Sequence, residues 1–232
     1  MPDFAVLESL GIAPDRQAKE RLAAFHRLLM EHNARMDLTT VPEEEMTIRH
    51  YADSLLVLNH DLIPPNARVI DVGTGAGFPG LPLGIARPDC SISLLESKQK
   101  RCAFLQAVID ELQLKNATVL CGRAEDLALP PRREAYDRAL ARAVAPLNQL
   151  SEYLLPYVRV GGKALCWKGP AVHTETAAGG AAAKLLGGRL GALVDLNIPG
   201  RSHFIQVIEK TRPTPARFPR KAGTAAKEPL GI

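Results

Sequence analysis

Val69-Ile70-Asp71-Val72-Gly73-Thr74-Gly75-Ala76-Gly77-Phe78-Pro79-Gly80 is an apolar run that ends in an acid and then breaks into alternating glycines. This pattern predicts a buried strand that turns sharply into a helix. Glycines at 73, 75 and 77 lack the Cβ atoms that would hold a backbone turn away from a ligand, and they tolerate positive φ. The turn is suited to a nucleotide-like cofactor. Gly75 to Gly80 also satisfies the dinucleotide pattern G-x-G-x-x-G, so the glycines alone do not choose between the cofactor classes that use such a turn.

Outward from the turn, short apolar strands alternate with amphipathic helices. Strands are expected at 68–72, 91–95, 117–121, 136–141 and 163–167, with helices near 80–87, 98–113, 146–158 and 172–187, the rhythm of a parallel sheet covered on both faces. Residues 192–198 and 203–208 flank Pro199-Gly200-Arg201-Ser202, a turn composition that joins neighbouring antiparallel strands. The sheet therefore has seven strands and ends in a hairpin. Before it, Leu22, Phe25, Leu29 and Met36 recur at helical spacing within residues 3–62, and Pro64-Pro65-Asn66 breaks the pattern. We divide the chain into a helical cap (1–62), an α/β core (63–210) and a C-terminal extension (211–232).

The strand ends separate the cofactor classes. A hairpin with an antiparallel last strand is the trait of the SAM-dependent methyltransferase sheet, a Rossmann-like fold, whereas a dinucleotide sheet continues with parallel strands. Leu94-Leu95-Glu96 sets a carboxylate at the end of the second strand, where ligands of open α/β sheets lie, so Glu96 is placed at ribose hydroxyls. Both classes want that acid. The third strand ends in Cys121-Gly122-Arg123-Ala124-Glu125-Asp126, and an acid beside a backbone N–H there can pair with the edge of adenine, which SAM but not a dinucleotide places at this strand. With Asp71 ahead of Gly73 giving D-x-G-x-G-x-G, SAM is the expected cofactor.

With 232 residues, the chain is long enough for one α/β core with an appended segment. Its formal charge is +4, yet residues 210–232 hold Lys210, Arg212, Arg217, Arg220, Lys221 and Lys227 against Glu228 alone, so the body before them is close to neutral. That bias suggests a polyanion contact through the tail, with Phe218 as a stacking ring among cations. Cys90, Cys102, Cys121 and Cys166 are scattered singly, without companion histidines at metal spacing. They read as small core residues in a reducing cytoplasm, and no metal is expected. No apolar run of about 20 residues occurs and the N-terminus lacks a signal-peptide pattern, so a cytoplasmic protein without a membrane partner is expected.

The glycine turn with its Phe78-Pro79-Gly80, together with Arg49-His50-Tyr51-Ala52-Asp53-Ser54-Leu55, Ala141-Arg142-Ala143 and Thr214-Pro215-Ala216-Arg217-Phe218-Pro219-Arg220-Lys221-Ala222-Gly223-Thr224, resembles the bacterial small-subunit rRNA guanine-N7 methyltransferase family, also called glucose-inhibited division protein B. The resemblance runs from about residue 20 to the tail. It implies that Gly73, Phe78, Ala124, Glu125 and Arg142 contact SAM, with Glu96 at the ribose, and the glycine turn itself adds Gly75 and Gly77 as expected cofactor-binding residues. It also implies methylation of one guanine N7 in a decoding-region loop of 16S rRNA, with the small ribosomal subunit or its assembly intermediate as partner. Two positions depart from the family pattern: Asp37-Leu38-Thr39 replaces Asn-Leu-Thr, and Arg201-Ser202-His203 shifts an Arg near the last strand. His203 is accordingly not taken as a site residue.

Guanine N7 offers an in-plane lone pair and no proton, so its methylation needs alignment and exclusion of water and no general base. Consistent with this, the fourth strand ends in Tyr136-Asp137-Arg138-Ala139-Leu140-Ala141-Arg142-Ala143, without the Asn/Asp-Pro-Pro-Tyr element of amino-group methyltransferases. Arg142 is the candidate catalytic residue, since a guanidinium can hold a guanine O6 and N7 edge or a phosphate. Spacings of three and four put Arg49 and His50 on one helix face with Asp53, and Lys168 is read as either a phosphate contact or a solvated residue. A small-molecule methyltransferase, a nicotinamide-dependent oxidoreductase and a non-enzymatic RNA-binding protein stay open on the residues alone.

Overall fold

The computed structural model describes residues 1–231. Five parallel strands, β1 (Arg68–Val72), β2 (Ser91–Glu96), β3 (Ala117–Cys121), β4 (Tyr136–Arg142) and β5 (Val158–Lys168), are joined by β6 (Gly188–Asp195) and β7 (Phe204–Lys210). The spatial order is β3-β2-β1-β4-β5-β7-β6, with β7 antiparallel to both its neighbours. The strand order reverses between β1 and β4, which opens a crevice beyond their carboxyl ends. β1 is buried from Val69 onward because both sheet faces are covered, which is why it reads as a continuous apolar run and not an alternating one.

Two apolar clusters flank the sheet. One joins β1, β2, α5 (Gly80–Ala86) and α6 (Gln99–Glu111) to the N-terminal cap through Leu22, Phe25 and Phe104. The other joins β4, β5, α8 (Leu147–Leu154) and α9 (Val172–Leu185) to Phe218 and Ala225 of the C-terminal segment. In the cap, α1 (Phe4–Ser9) precedes α2 (Arg16–Met36), whose N-terminus is closed by Asp15 accepting from the Ala18 N–H at 2.7 Å. Leu22, Phe25 and Leu29 form its buried stripe, while Met36 is only half-buried. Asp37 ends α2 in the left-handed region at φ 47°, a conformation that Asp and Asn both tolerate, which accounts for the acid where the resembled family has an amide.

Several boundaries differ from the sequence expectation. β5 begins at Val158 and not 163, because Gly161 and Gly162 weaken the apolar signal, while a Cβ at Gly162 would approach the Asp137 carbonyl to 2.8 Å. β6 lies four residues before its expected start; Leu196 and Ile198, which carried the apolar signal, are buried in the cap-side core. Of the four cysteines, Cys121 is exposed and only the other three are core residues. Among the described residues, no helix is long and apolar enough to cross a membrane, and no group of three or more potential ligand side chains could hold a metal ion.

The C-terminal segment corrects the sequence reading most. Phe218 is 4% exposed and so cannot stack on a base, and Lys210 is buried against the Leu155 carbonyl and Glu134. Arg220 clamps Glu152, itself 1% exposed, with Nε at 3.0 Å from Oε1 and Nη2 at 2.6 Å from Oε2. Lys210 and Arg220 are thus engaged by acids and carbonyls of the protein itself, while Arg212, Arg217, Lys221 and Lys227 are exposed. Arg220→Ala strands the Glu152 carboxylate without its partner, so stability to urea is expected to fall by about 3–5 kcal/mol, as for other broken buried pairs. A midpoint within error of the parent protein would contradict this.

Candidate functional site

The glycine turn is built by its backbone. Gly73 stands at φ +74°, and its N–H and that of Thr74 both donate to the Leu95 carbonyl, at 2.8 and 3.1 Å. A Cβ at Gly73 would come within 2.8 Å of Val144, which crosses the turn from the segment after β4. Gly77 leaves no alternative either: at φ +97°, its Cβ would meet Leu81 at 2.3 Å. Asp71 closes the turn from below, with Oδ2 accepting from Thr74 Oγ1 at 2.6 Å and from the Gly80 N–H at 2.8 Å. Oδ1 of Asp71 is the one buried side-chain polar atom without a partner among the described residues. Burial pushes the Asp71 carboxyl up to about 6, so this acid is held in the turn at an energetic cost.

Glu96, 4% exposed, is oriented by the same turn. Its Oε2 accepts from the Gly75 N–H at 3.1 Å and its Oε1 from the Lys98 N–H at 2.8 Å. Register sets it opposite Cys121, one residue before the Gly122 that opens toward Ala124 and Glu125. A cleft of about 280 Å³ lies over these strand ends, lined by Gly73, Ser97, Gly122, Ala124, Glu125 and Tyr153 among others. Ala124 is fixed through its carbonyl, which accepts from Tyr157 Oη at 2.6 Å. A backbone opened by glycine and the acid at β3 line the cleft, and Glu96, between Leu95 and Ser97 of that lining but not itself part of it, completes a donor and acceptor set that fits SAM. Gly75 and Gly77 shape the turn and do not line the cleft.

A second cleft, of about 320 Å³, lies beyond Arg142 and Ala143 and is lined by His50, Asp53, Trp167, Lys168, Arg201 and His203 among others. Ala143, which lines this cleft and precedes Val144 of the first, holds φ +56°, a strained conformation for a residue with a Cβ. Arg142 Nη1 donates to Asp53 Oδ2 at 2.8 Å and to the Arg49 carbonyl at 2.9 Å, and Nη2 donates to His50 Nδ1 at 3.1 Å. Its guanidinium also lies 5.2 Å from the Phe78 ring centroid. Three of its five N–H groups are therefore committed, and two have no partner among the described residues. Phe78, expected at the cofactor, is 3% exposed and serves as the platform under Arg142 and under His50, whose ring stacks on it at 4.4 Å.

The 47–52 segment is a π-helix, and this changes which side chains converge. His50 and Asp53 meet at Arg142 as the spacing predicts, but the Arg49 guanidinium turns away to Glu45 at 2.6 Å and contributes only its carbonyl. Because Arg142 can only donate, His50 Nδ1 is the unprotonated nitrogen and Nε2–H donates to Thr39 Oγ1 at 2.8 Å. Burial and the adjacent Arg142 bring His50 down to about 3. Lys168 is neither solvated nor free: Nζ pairs with Glu175 at 2.6 Å and donates to the Ala145 carbonyl. His203, set aside in the sequence, belongs to this cleft, with Nδ1 hydrogen-bonded to Asp53 Oδ1. Asp53 and Trp167, whose Nε1 donates to the Asp53 carbonyl at 2.8 Å, also escaped assignment to the site. The R-H-x-x-D spacing was the available signal for Asp53; nothing local marks His203 or Trp167.

The chain is similar over its whole length to proteins of known class. Residues 18–203 match the family described as rRNA small subunit methyltransferase G. The ribosomal RNA small subunit methyltransferase G of Symbiobacterium thermophilum is 46% identical, over 97% of this chain and 95% of that protein. That of Leuconostoc citreum is 42% identical over 98% and 97%. Among solved structures, a SAM-dependent methyltransferase from Aquifex aeolicus superposes with a TM-score of 0.53 at 17% identity, covering 72% of this chain and 93% of that one. M. jannaschii TYW2 in complex with AdoMet gives a TM-score of 0.51 at 16% identity, over 67% and 74%. With the glycine turn, Glu96 and the reversed strand order in place, these likenesses show that the chain belongs to the rRNA small subunit methyltransferase G family and carries its SAM-dependent methyltransferase fold.

Proposed function

We propose that this chain transfers a methyl group from SAM to N7 of a single guanine in a decoding-region loop of 16S rRNA, presented by the small subunit or its assembly intermediate. The observation that carries the reading is that Arg142 and Ala143 line the second cleft while the next two residues, Val144 and Ala145, line the first. His50 is neutral and engaged at both ring nitrogens, and the Asp53 carboxylate is engaged by Arg142 and His203. Arg142, His50 and Asp53 are thus set to hold an acceptor and not to take its proton, which suits a nucleophile that carries none; His203 Nε2 has no partner among the described residues.

Bound SAM supplies an electrophilic methyl on a sulfonium. The residues of the chain bind and orient. Glu96, held in place by its backbone donors, would accept from the ribose hydroxyls, and Glu125 with the neighbouring backbone would hold adenine. The two uncommitted N–H groups of Arg142 face the acceptor as a hydrogen-bond fork for the guanine O6 edge or a phosphate. Asp53, His50 and Phe78 keep that fork aimed, an orientation effect that a mobile arginine would lose. Phosphate contacts fall to exposed cations of the body, of which Arg201 is the one at the mouth of the acceptor cleft.

Three measurements test this reading. Glu96→Ala removes a charged acceptor from two hydroxyls, each bond worth roughly 1.5–3 kcal/mol, so calorimetric SAM affinity is expected to fall at least tenfold. An unchanged value would move the ribose contact elsewhere. Because His50 is brought down to about 3, it stays unprotonated across neutrality, and single-turnover transfer is expected to be flat from about pH 6.5 to 8.5. His50→Gln then slows transfer only modestly, and a rising limb that vanishes in this variant would overturn the mechanism. Arg201→Ala is expected to weaken rRNA binding and lower its salt slope by about one, with SAM binding intact. Nucleotide-resolution mapping of 16S rRNA with and without the protein decides the acceptor atom.

A further inference from the structure

The C-terminal segment is placed where a tail devoted to RNA would not be. Ala226 lines the cleft over the ends of β1, β2 and β3, together with Gln149 and Tyr153 of α8. Just before it, the Gly223 N–H donates to Glu125 Oε1 at 2.9 Å. Gly223 can do so because it stands at φ +85°, a turn that brings α10 (Thr224–Lys227) back across the cleft. Glu125 is 8% exposed, so this donor fixes one oxygen of a nearly buried carboxylate at the third strand end.

The segment is held there by contacts on both sides of that turn. Arg220 clamps Glu152 through Nε and Nη2, and Nη2 also donates to the Glu228 carbonyl at 2.9 Å, so one guanidinium ties together both ends of the 220–228 stretch. Upstream, Arg133 donates to the carbonyls of Thr214 and Phe218, at 2.9 and 2.7 Å, and Phe218 is sunk in the core beneath. Downstream, Asn148 donates to the Leu230 carbonyl at 3.0 Å. Every one of these partners lies on the methyltransferase core.

We propose that residues 220–228 are a fixed wall of the SAM cleft at its adenosine end: Gly223 positions Glu125 toward adenine, and Ala226 sets the room above it. The inference rests on the reading of this cleft as the cofactor's. A small residue at 226 is then a requirement of the ligand and not of the fold, since Ala226 is exposed and belongs to neither apolar cluster. The tail acts on cofactor affinity, and its exposed cations, Arg212, Arg217, Lys221 and Lys227, are secondary to rRNA binding.

Ala226→Trp in the full-length protein tests it by calorimetry with SAM and with its demethylated product. A tenfold or greater loss of affinity for both is expected, with an unchanged thermal midpoint of the ligand-free protein and unchanged binding of a 16S rRNA fragment. Ala226→Gly should keep cofactor affinity, and Arg217→Ala with Lys221→Ala should leave both affinities near the parent value. Glu96→Ala measured in parallel separates the two levels. If it weakens SAM binding while Ala226→Trp does not, the wall assignment fails and the cleft stands. If neither variant changes SAM affinity, the cleft itself is misassigned and the wall with it. A tryptophan variant that weakens rRNA binding and spares SAM would return the tail to the RNA surface.

Discussion

The Asp53 carboxylate, 2% exposed, is the interaction on which the rest of the site depends. It receives Arg142 from the end of β4 and His203 from the segment before β7, while the backbone carbonyl of the same residue receives Trp167 from β5. One residue of the N-terminal cap thus joins three separate elements of the sheet. A buried charge is costly unless paired and hydrogen-bonded, and here the costs of Asp53 and Arg142 offset one another only while the cap is docked. Docking of the cap and orientation of Arg142 are therefore the same event.

A second constraint operates in the glycine turn. Asp71 and Glu96 are two carboxylates in the same small volume, and the backbone N–H groups of Gly75, Gly80 and Lys98 are aimed at them. Those donors compensate Glu96 on both oxygens, but Asp71 on only one. A turn with this much negative charge near its floor is less stable than an apolar turn of the same shape, and its cost is met by the two cores that grip β1 from either side. Function and stability pull in opposite directions at Asp71.

The C-terminal segment shows how charge can mislead. A run of cations beside one aromatic is the composition of an RNA-binding tail, and its net charge is real. Yet Lys210 and Arg220 meet the half-buried Glu134 and the buried Glu152, which lie far away in sequence. Composition reports how many charges a segment carries and is silent on which of them already have partners. The same limit applied to Lys168, whose partner Glu175 lies on the next helix.

Local signals were enough for the sheet and its carboxyl edge. Apolar runs, glycine spacing and acids at strand ends are local signals, and a strand of five residues followed by a turn places its last residue at the carboxyl edge whatever the rest of the chain does. Glu96, Glu125 and the turn at Gly73 were legible for that reason. Tertiary structure alone decided which side chains close the site. His203 reaches Asp53 across 150 positions and Gly223 reaches Glu125 across 98, separations over which no periodicity or spacing carries information. It also decided that Phe78 would be a platform and Phe218 a core residue, because burial depends on what covers a ring and not on the residues beside it. Local chemistry sets where a ligand can lie; long-range packing sets which groups are left free to meet it.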